Sequence, residues 1–136
     1  MHYSSFCRCG QIQVNLSLPK PIDTYAPRAC DCDFCTSRSA SYLSDPDGML
    51  QITKAEELEQ LKQGSGQAIF WQCKSCHDLI GVTHEFKNGI QGTVNANLFA
   101  EGHELQSSIA VSPKTLSPEI KRERWREVWM KVKFTP

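Results

Sequence analysis

In QIQVNLSL, residues 11–18, the apolar side chains Ile12, Val14, Leu16 and Leu18 alternate with polar ones. A period of two places them on one face, which predicts a half-buried strand. The PKP run at 19–21 ends it, because proline donates nothing to a ladder. Ser41–Leu43 leans towards strand, and Asp45-Pro46-Asp47-Gly48 reads as a turn, with proline presetting φ and glycine accepting a positive φ. A short strand is predicted at Leu50–Ile52. TKAEELEQLKQG, residues 53–64, then pairs Thr53 with Glu56 as a capping box and stops at Gly64, which predicts one short helix. AIFWQC (68–73) and LIGVTHEF (79–86) return to strand character around a C-x-x-C turn. Asn88-Gly89 signals a hairpin into GTVNANLF (92–99), where Val94, Ala96 and Leu98 alternate. Ser117-Pro118-Glu119 supplies a cap, a first-turn proline and an acidic first turn. Beyond it Trp125, Val128, Trp129 and Val132 recur at helical spacing, so a C-terminal helix is expected over about 118–131. The pattern describes a mainly β fold with one or two short helices.

Length limits how much that fold can bury. At 136 residues the chain suits one domain, and folding at this size removes roughly two-thirds of the unfolded surface from water. A single domain over 1–136 is expected, since no repeat, low-complexity tract or linker interrupts it. Lysine plus arginine (15) balance aspartate plus glutamate (15), so no long-range field draws the chain to nucleic acid or an anionic membrane. No segment approaches the ~20 apolar residues of a membrane span, and MHYSSFCRCG lacks a basic start followed by an apolar run. A soluble cytoplasmic protein without a membrane partner is expected.

The cysteines change the picture most. There are seven, in three groups: Cys7 and Cys9; Cys30, Cys32 and Cys35; Cys73 and Cys76. An odd number argues against a complete disulfide framework, and clustered thiols in a reducing compartment hold metal or do redox chemistry. If Cys7 and Cys9 lie in a strand, i and i+2 face one side. Cys73 and Cys76 have the spacing of a zinc knuckle. Dividing the sulfurs without splitting a local motif gives Cys7, Cys9, Cys73 and Cys76 around one tetrahedral ion, and Cys30, Cys32 and Cys35 around a second with an open vertex. A closed four-thiolate site is the structural arrangement, and three ligands with an exchangeable fourth position the catalytic one. Four other readings stay open: free or redox cysteines, an iron–sulfur cluster on the four thiolates, c-type haem attachment at CKSCH (73–77), and a fused cluster using all seven sulfurs. Three thiolates leave zinc with a net charge of about −1, which makes it a weak Lewis acid for water but a good host for a nucleophilic thiolate.

The ordered set FCRCG, CDCDFC and CKSCHDLIG, followed by GTVNANLF and the tail SPKTLSPEIKRERWREVW, resembles the glutathione-dependent formaldehyde-activating enzymes, whose relatives include centromere protein V. The resemblance covers nearly the whole chain. It implies a β-tent fold of antiparallel sheets, a structural zinc on Cys7, Cys9, Cys73 and Cys76, and a catalytic zinc on Cys30, Cys32 and Cys35. The implied reaction condenses glutathione with formaldehyde to S-hydroxymethylglutathione, formally a carbon–sulfur lyase in reverse. Asp31 stands where many members carry histidine, which adds negative charge beside the triad.

Arg28 and Arg38 flank the triad and could pair with a substrate carboxylate; the simpler reading is that they offset thiolate charge. His77 and His84 are expected to be ordinary surface or hydrogen-bonded residues, and Asn95 and Asn97 structural. The C-terminal cations Lys121, Arg122, Arg124, Arg126, Lys131 and Lys133 alternate with Glu119, Glu123 and Glu127 opposite a Trp/Val stripe, which fits a packed amphipathic helix better than a nucleic-acid surface. The expected partners are a small thiol such as glutathione and a small aldehyde. The rival reading is a non-catalytic, zinc-stabilised binding module with both metals structural, and a third is metal or thiol sensing.

Overall fold

The described residues of the computed structural model, 1–62, 66–100, 102–112 and 115–136, form a mainly β structure. In chain order the elements are β1 (His2–Phe6), β2 (Gln13–Ser17), β3 (Arg28–Cys30), α1 (Asp33–Ser37), β4 (Tyr42–Leu43), β5 (Met49–Ile52), β6 (Leu58–Lys62), β7 (Ile69–Cys73), β8 (Leu79–Phe86), β9 (Gly89–Asn95), β10 (Ile109–Val111), α2 (Pro118–Val128) and β11 (Met130–Phe134). The sheet runs β1-β2-β5-β11-β9-β4-β3-β10, with the meander β6-β7-β8 joined to β9. Pairing is antiparallel except where β10 meets β3 and β11 meets β5. The alternation in β2 behaves as predicted: Val14 and Leu16 are sealed in the main core with Leu50, Ile52 and Phe99.

β9 organises the site. One edge pairs with β8 from Gly89 to Val94, whereas the other holds β11 at Gln91 and Gly92 and β4 at Val94 and Asn95. Between these partners Thr93 Oγ1 donates to the Leu43 carbonyl at 2.8 Å. The close approach requires glycine: a Cβ on Gly92 would lie 2.4 Å from the Val82 carbonyl oxygen. Gly92→Ala is therefore expected to destabilise by about 1–3 kcal/mol, read as a lower urea midpoint at unchanged slope.

Three sequence expectations are corrected. The helix expected over 53–64 is a single 3-10 turn at Ala55–Glu57 followed by β6, which pairs with β7 from Leu58↔Cys73 to Lys62↔Ile69. Thr53 does not cap: its Oγ1 donates to the Gln13 carbonyl at 3.2 Å and accepts from the Gln13 N–H at 3.3 Å. Lys54 adopts φ 55°, and Leu58 is buried. So short a helix is marginal in water, and strand pairing with a buried leucine overrides the helical propensity of EELEQLK. The stop at Gly64 lies outside the described residues. At the C-terminus α2 ends at Val128 rather than near 131, because Met130, Val132 and Phe134 alternate with Lys131 and Lys133 and enter the sheet as β11. Finally, β9 stops at Asn95, whose side chain accepts from the Asn97 N–H and starts a 3-10 turn over Ala96–Phe99.

Candidate metal centre and adjoining cavity

Cys7 and Cys9 do not sit in a strand. β1 ends at Phe6, and a turn follows in which the Gly10 N–H donates to the Cys7 carbonyl at 2.9 Å, with Gly10 at φ 78°. The second dyad ends β7 and closes a turn in which the His77 N–H donates to the Cys73 carbonyl at 3.0 Å. Two turns, rather than a strand and a turn, bring these sulfurs together across 64 positions of sequence. Cys9 Sγ lies 3.6 Å from both Cys7 Sγ and Cys73 Sγ. All four sulfurs lie within 4.8 Å of one another. A tetrahedral ion with metal–sulfur bonds of ~2.3 Å separates its ligands by about 3.8 Å, so the group matches a closed thiolate site. All seven cysteines are free thiols. Turn amides support the anionic form: the Ile12 N–H donates to Cys7 Sγ at 3.3 Å, a backbone donor at Gln11 serves Cys9, and backbone donors at Cys76 and Ser75 serve Cys73. Burial pushes Cys7 up to about 12, whereas the Gln11 amide draws exposed Cys9 down to about 7. The buried Cys73 thiol is likewise raised by desolvation.

A clamp missing from the sequence reading holds the two turns together without metal. Arg8, between Cys7 and Cys9, donates through Nε to Asp78 Oδ1 at 2.7 Å, through its backbone N–H to Asp78 Oδ2 at 2.8 Å, and through Nη2 to the Cys76 carbonyl at 2.7 Å. Its signal was an opposite charge beside each dyad, Arg8 in C-R-C and Asp78 just past Cys76.

The triad is built by the end of β3 and the start of α1. Cys30 closes the strand, Cys32 caps the helix by accepting from the Cys35 N–H at 3.4 Å, and Cys35 lies one turn in, buried. Their sulfurs also lie within 4.8 Å of one another, and no other histidine, cysteine or carboxylate joins the group among the described residues. Cys30 is drawn down to about 6, chiefly by the hydrogen bond from Cys35, and Cys35 is pushed up by the same bond and by burial. Asp31 is not a fourth ligand. Its Oδ2 accepts from Ser112 Oγ at 2.5 Å, and its Oδ1 is buried without a partner. Both groups could therefore hold metal ions; the geometry is compatible with zinc without identifying it.

The two groups differ in surroundings. A cavity of about 640 Å³ is lined by Cys30, Cys32 and Cys35 together with Tyr42, Phe70 and residues of α2, and the outer four cysteines line no part of it. Tyr42, which the sequence reading passed over, hydrogen-bonds Cys35 Sγ through its hydroxyl at 3.0 Å, and burial raises its pKa so that it stays a neutral phenol. The stripe on α2 is not a sealed core. No residue of α2 is buried, and Trp125 and Val128 face the cavity half-exposed. Of the flanking arginines, Arg28 lines the cavity, whereas Arg38 stacks over the Phe34 ring at 3.7 Å and donates to the Phe34 carbonyl.

The remaining candidates are structural. His77 lies 3.3 Å from Gln72 Nε2 and 3.6 Å from Glu59, and His84 Nδ1 is 3.0 Å from the Gln67 carbonyl. Asn95 Nδ2 donates to the Leu79 carbonyl at 2.9 Å and Asn97 Nδ2 to the Ser39 carbonyl at 2.8 Å. No helix is long and apolar enough to cross a membrane among the described residues.

No family model matches the sequence, and no curated protein matches it. A crystal structure of a Rhodobacter sphaeroides protein is similar at TM-score 0.55 and 21% identity, covering 98% of this chain and 100% of that one. At that identity the likeness concerns the fold alone.

Proposed function

We propose that the chain carries two zinc ions, one structural on Cys7, Cys9, Cys73 and Cys76 and one on Cys30, Cys32 and Cys35 that serves addition of a thiol to a small aldehyde. The observation that carries this reading is that only the triad opens onto the cavity. The order of the cysteine groups, which resembles the glutathione-dependent formaldehyde-activating enzymes, supports formaldehyde and glutathione as first substrates to try. Zinc on three thiolates supplies deprotonation of an incoming thiol while leaving its sulfur nucleophilic. In the balanced reaction the thiol gives up its proton and its sulfur attacks the carbonyl carbon. The carbonyl π pair moves to oxygen, and that oxygen takes up one proton, leaving a hydroxymethyl thioether. The chain's own contribution is to exclude water with Phe70 and Trp125 and to present Tyr42, a neutral phenol beside the sulfurs, as hydrogen-bond donor to the developing alkoxide.

The test is NMR exchange spectroscopy of glutathione with formaldehyde at micromolar zinc-loaded protein. Faster exchange than in buffer is expected, and Tyr42→Phe is expected to lower the enzymatic part about 10–100-fold. Exchange no faster than in buffer overturns glutathione as the thiol, and no acceleration with any thiol that binds the centre overturns the enzyme reading in favour of a zinc-stabilised binding module.

A further inference from the structure

Formaldehyde and a thiol sulfur need little room, yet the cavity beside the triad measures about 640 Å³, within the ~300–1,000 Å³ typical of pockets for drug-sized ligands. Its walls beside the sulfurs and along α2 are aromatic. Phe34 packs edge-on to Phe70 at 4.8 Å, and Trp125 stacks on Trp129 at 4.6 Å with an interplanar angle of 6°.

The charged lining is of one sign. Arg28, Lys121 and Arg124 line the cavity, no carboxylate does among the described residues, and none of these cations is in an ion pair there. The placement follows from local geometry. Arg28 and Cys30 are i and i+2 on β3 and share a face. On α2, Lys121, Arg124, Trp125 and Val128 fall at i, i+3, i+4 and i+7, one helical face, whereas Glu119, Glu123 and Glu127 recur at i+4 on the opposite, solvated face. One lining thus combines sulfur ligands, aromatic walls and cations, with Arg28 on the strand that carries Cys30 and with Lys121 and Arg124 on α2. Glutathione matches the cations with its carboxylates but has no apolar body for the aromatic walls.

We infer that the thiol taken by this site is an acid with an aryl body, its carboxylate held by Arg28, Lys121 and Arg124 and its ring against the Phe70 and Trp125 walls. This rests on the thiol-binding reading above. Burying a ring against these walls removes apolar surface from water, and a guanidinium meets a carboxylate with paired donors that a neutral thiol cannot use.

The test uses cobalt(II)-loaded protein titrated with 4-(mercaptomethyl)benzoic acid, benzyl mercaptan and glutathione, read by the thiolate-to-cobalt absorption band. A second readout, tryptophan fluorescence with the thiol-free 4-methylbenzoate, reports the pocket independently of the metal. The acidic aryl thiol is expected to bind at least about ten-fold tighter than either comparison thiol, a gap of ~1.4 kcal/mol. Arg124→Gln and Arg28→Gln, both at exposed positions, are expected to shrink its advantage over benzyl mercaptan. Trp125→Leu should shrink its advantage over glutathione. If benzyl mercaptan binds as well, or the arginine variants leave the ratio unchanged, the cations only offset thiolate charge and the inference falls; tighter glutathione binding also overturns it. If no thiol moves the cobalt band, the thiol-binding reading fails and takes this inference with it. Saturable, arginine-dependent binding of 4-methylbenzoate in that case would show an anion pocket separate from thiol chemistry.

Discussion

A Cys73→Ser chain is expected to lose one metal ion and its cooperative fold together. Cys73 is fully buried in the main core, pairs with Leu58 at the head of β6, and is one of four sulfurs drawn from turns 64 positions apart. Structural zinc in small domains binds with an apparent ~10–16 kcal/mol that is available to folding, comparable with the ~5–15 kcal/mol total stability of a domain. A serine hydroxyl is a poor replacement for a thiolate, so most of that contribution goes. Arg8 and Asp78 still clamp the turns, but Arg8 is 74% exposed, and an exposed ion pair contributes about 1 kcal/mol or less. The measurements are metal content per chain and circular dichroism through a thermal ramp. Cys9→Ser is the control, because Cys9 is exposed and outside the core yet belongs to the same four. If metal holds the fold, Cys9→Ser destabilises nearly as much. A harmless Cys9→Ser beside an unfolded Cys73→Ser would mean that packing, not metal, is what Cys73 supplies.

The division of the sulfurs was legible as far as the three local groups, because a dyad two or three residues apart converges on one ion through local backbone geometry; the fold then joins the two dyads and leaves the triad apart. What spacing could not say is which geometry. Cys7 and Cys9 converge through a turn closed by Gly10, not through strand alternation. The strands at Gln13–Ser17 and Leu79–Phe86 were legible for the same reason that β6 was not. Val14 and Leu16 alternate within their own segment, whereas EELEQLK has a helical rhythm, and only the ladder with Ile69–Cys73 makes it a strand. A ladder with the next strand leaves no trace in the segment's own periodicity. The end of α2 shows the converse, since Val132 fits both a helical series with Trp125, Val128 and Trp129 and a strand series with Met130 and Phe134. Burial against β5 and β9 decides for the strand.

The cavity was hidden for a further reason. Tyr42, Phe70 and Trp125 come from β4, β7 and α2, and they meet only because β9 gives up β11 for β4 beyond Gly92. Each reads locally as an ordinary core aromatic.

Cys32→Ser tests the triad in the opposite sense, because here the metal is expected to leave and the fold to stay. Cys32 is half-buried and caps α1 by accepting from the Cys35 N–H. Serine is among the preferred residues at a helix N-cap, so the substitution removes a ligand while keeping the cap. Cys35→Ser would confuse the two effects, since Cys35 is fully buried beside Tyr42. With two thiolates left at this centre, metal content is expected to fall from two ions per chain to one. Stability should stay within about 1 kcal/mol of the parent, and thiol–aldehyde exchange should drop about 100-fold or to the rate in buffer. Both ions lost, or a chain that no longer melts cooperatively, would make the triad a second structural site. The cavity would then be a surface for binding rather than for reaction. Retention of two ions with undiminished exchange would place the chemistry somewhere other than these sulfurs.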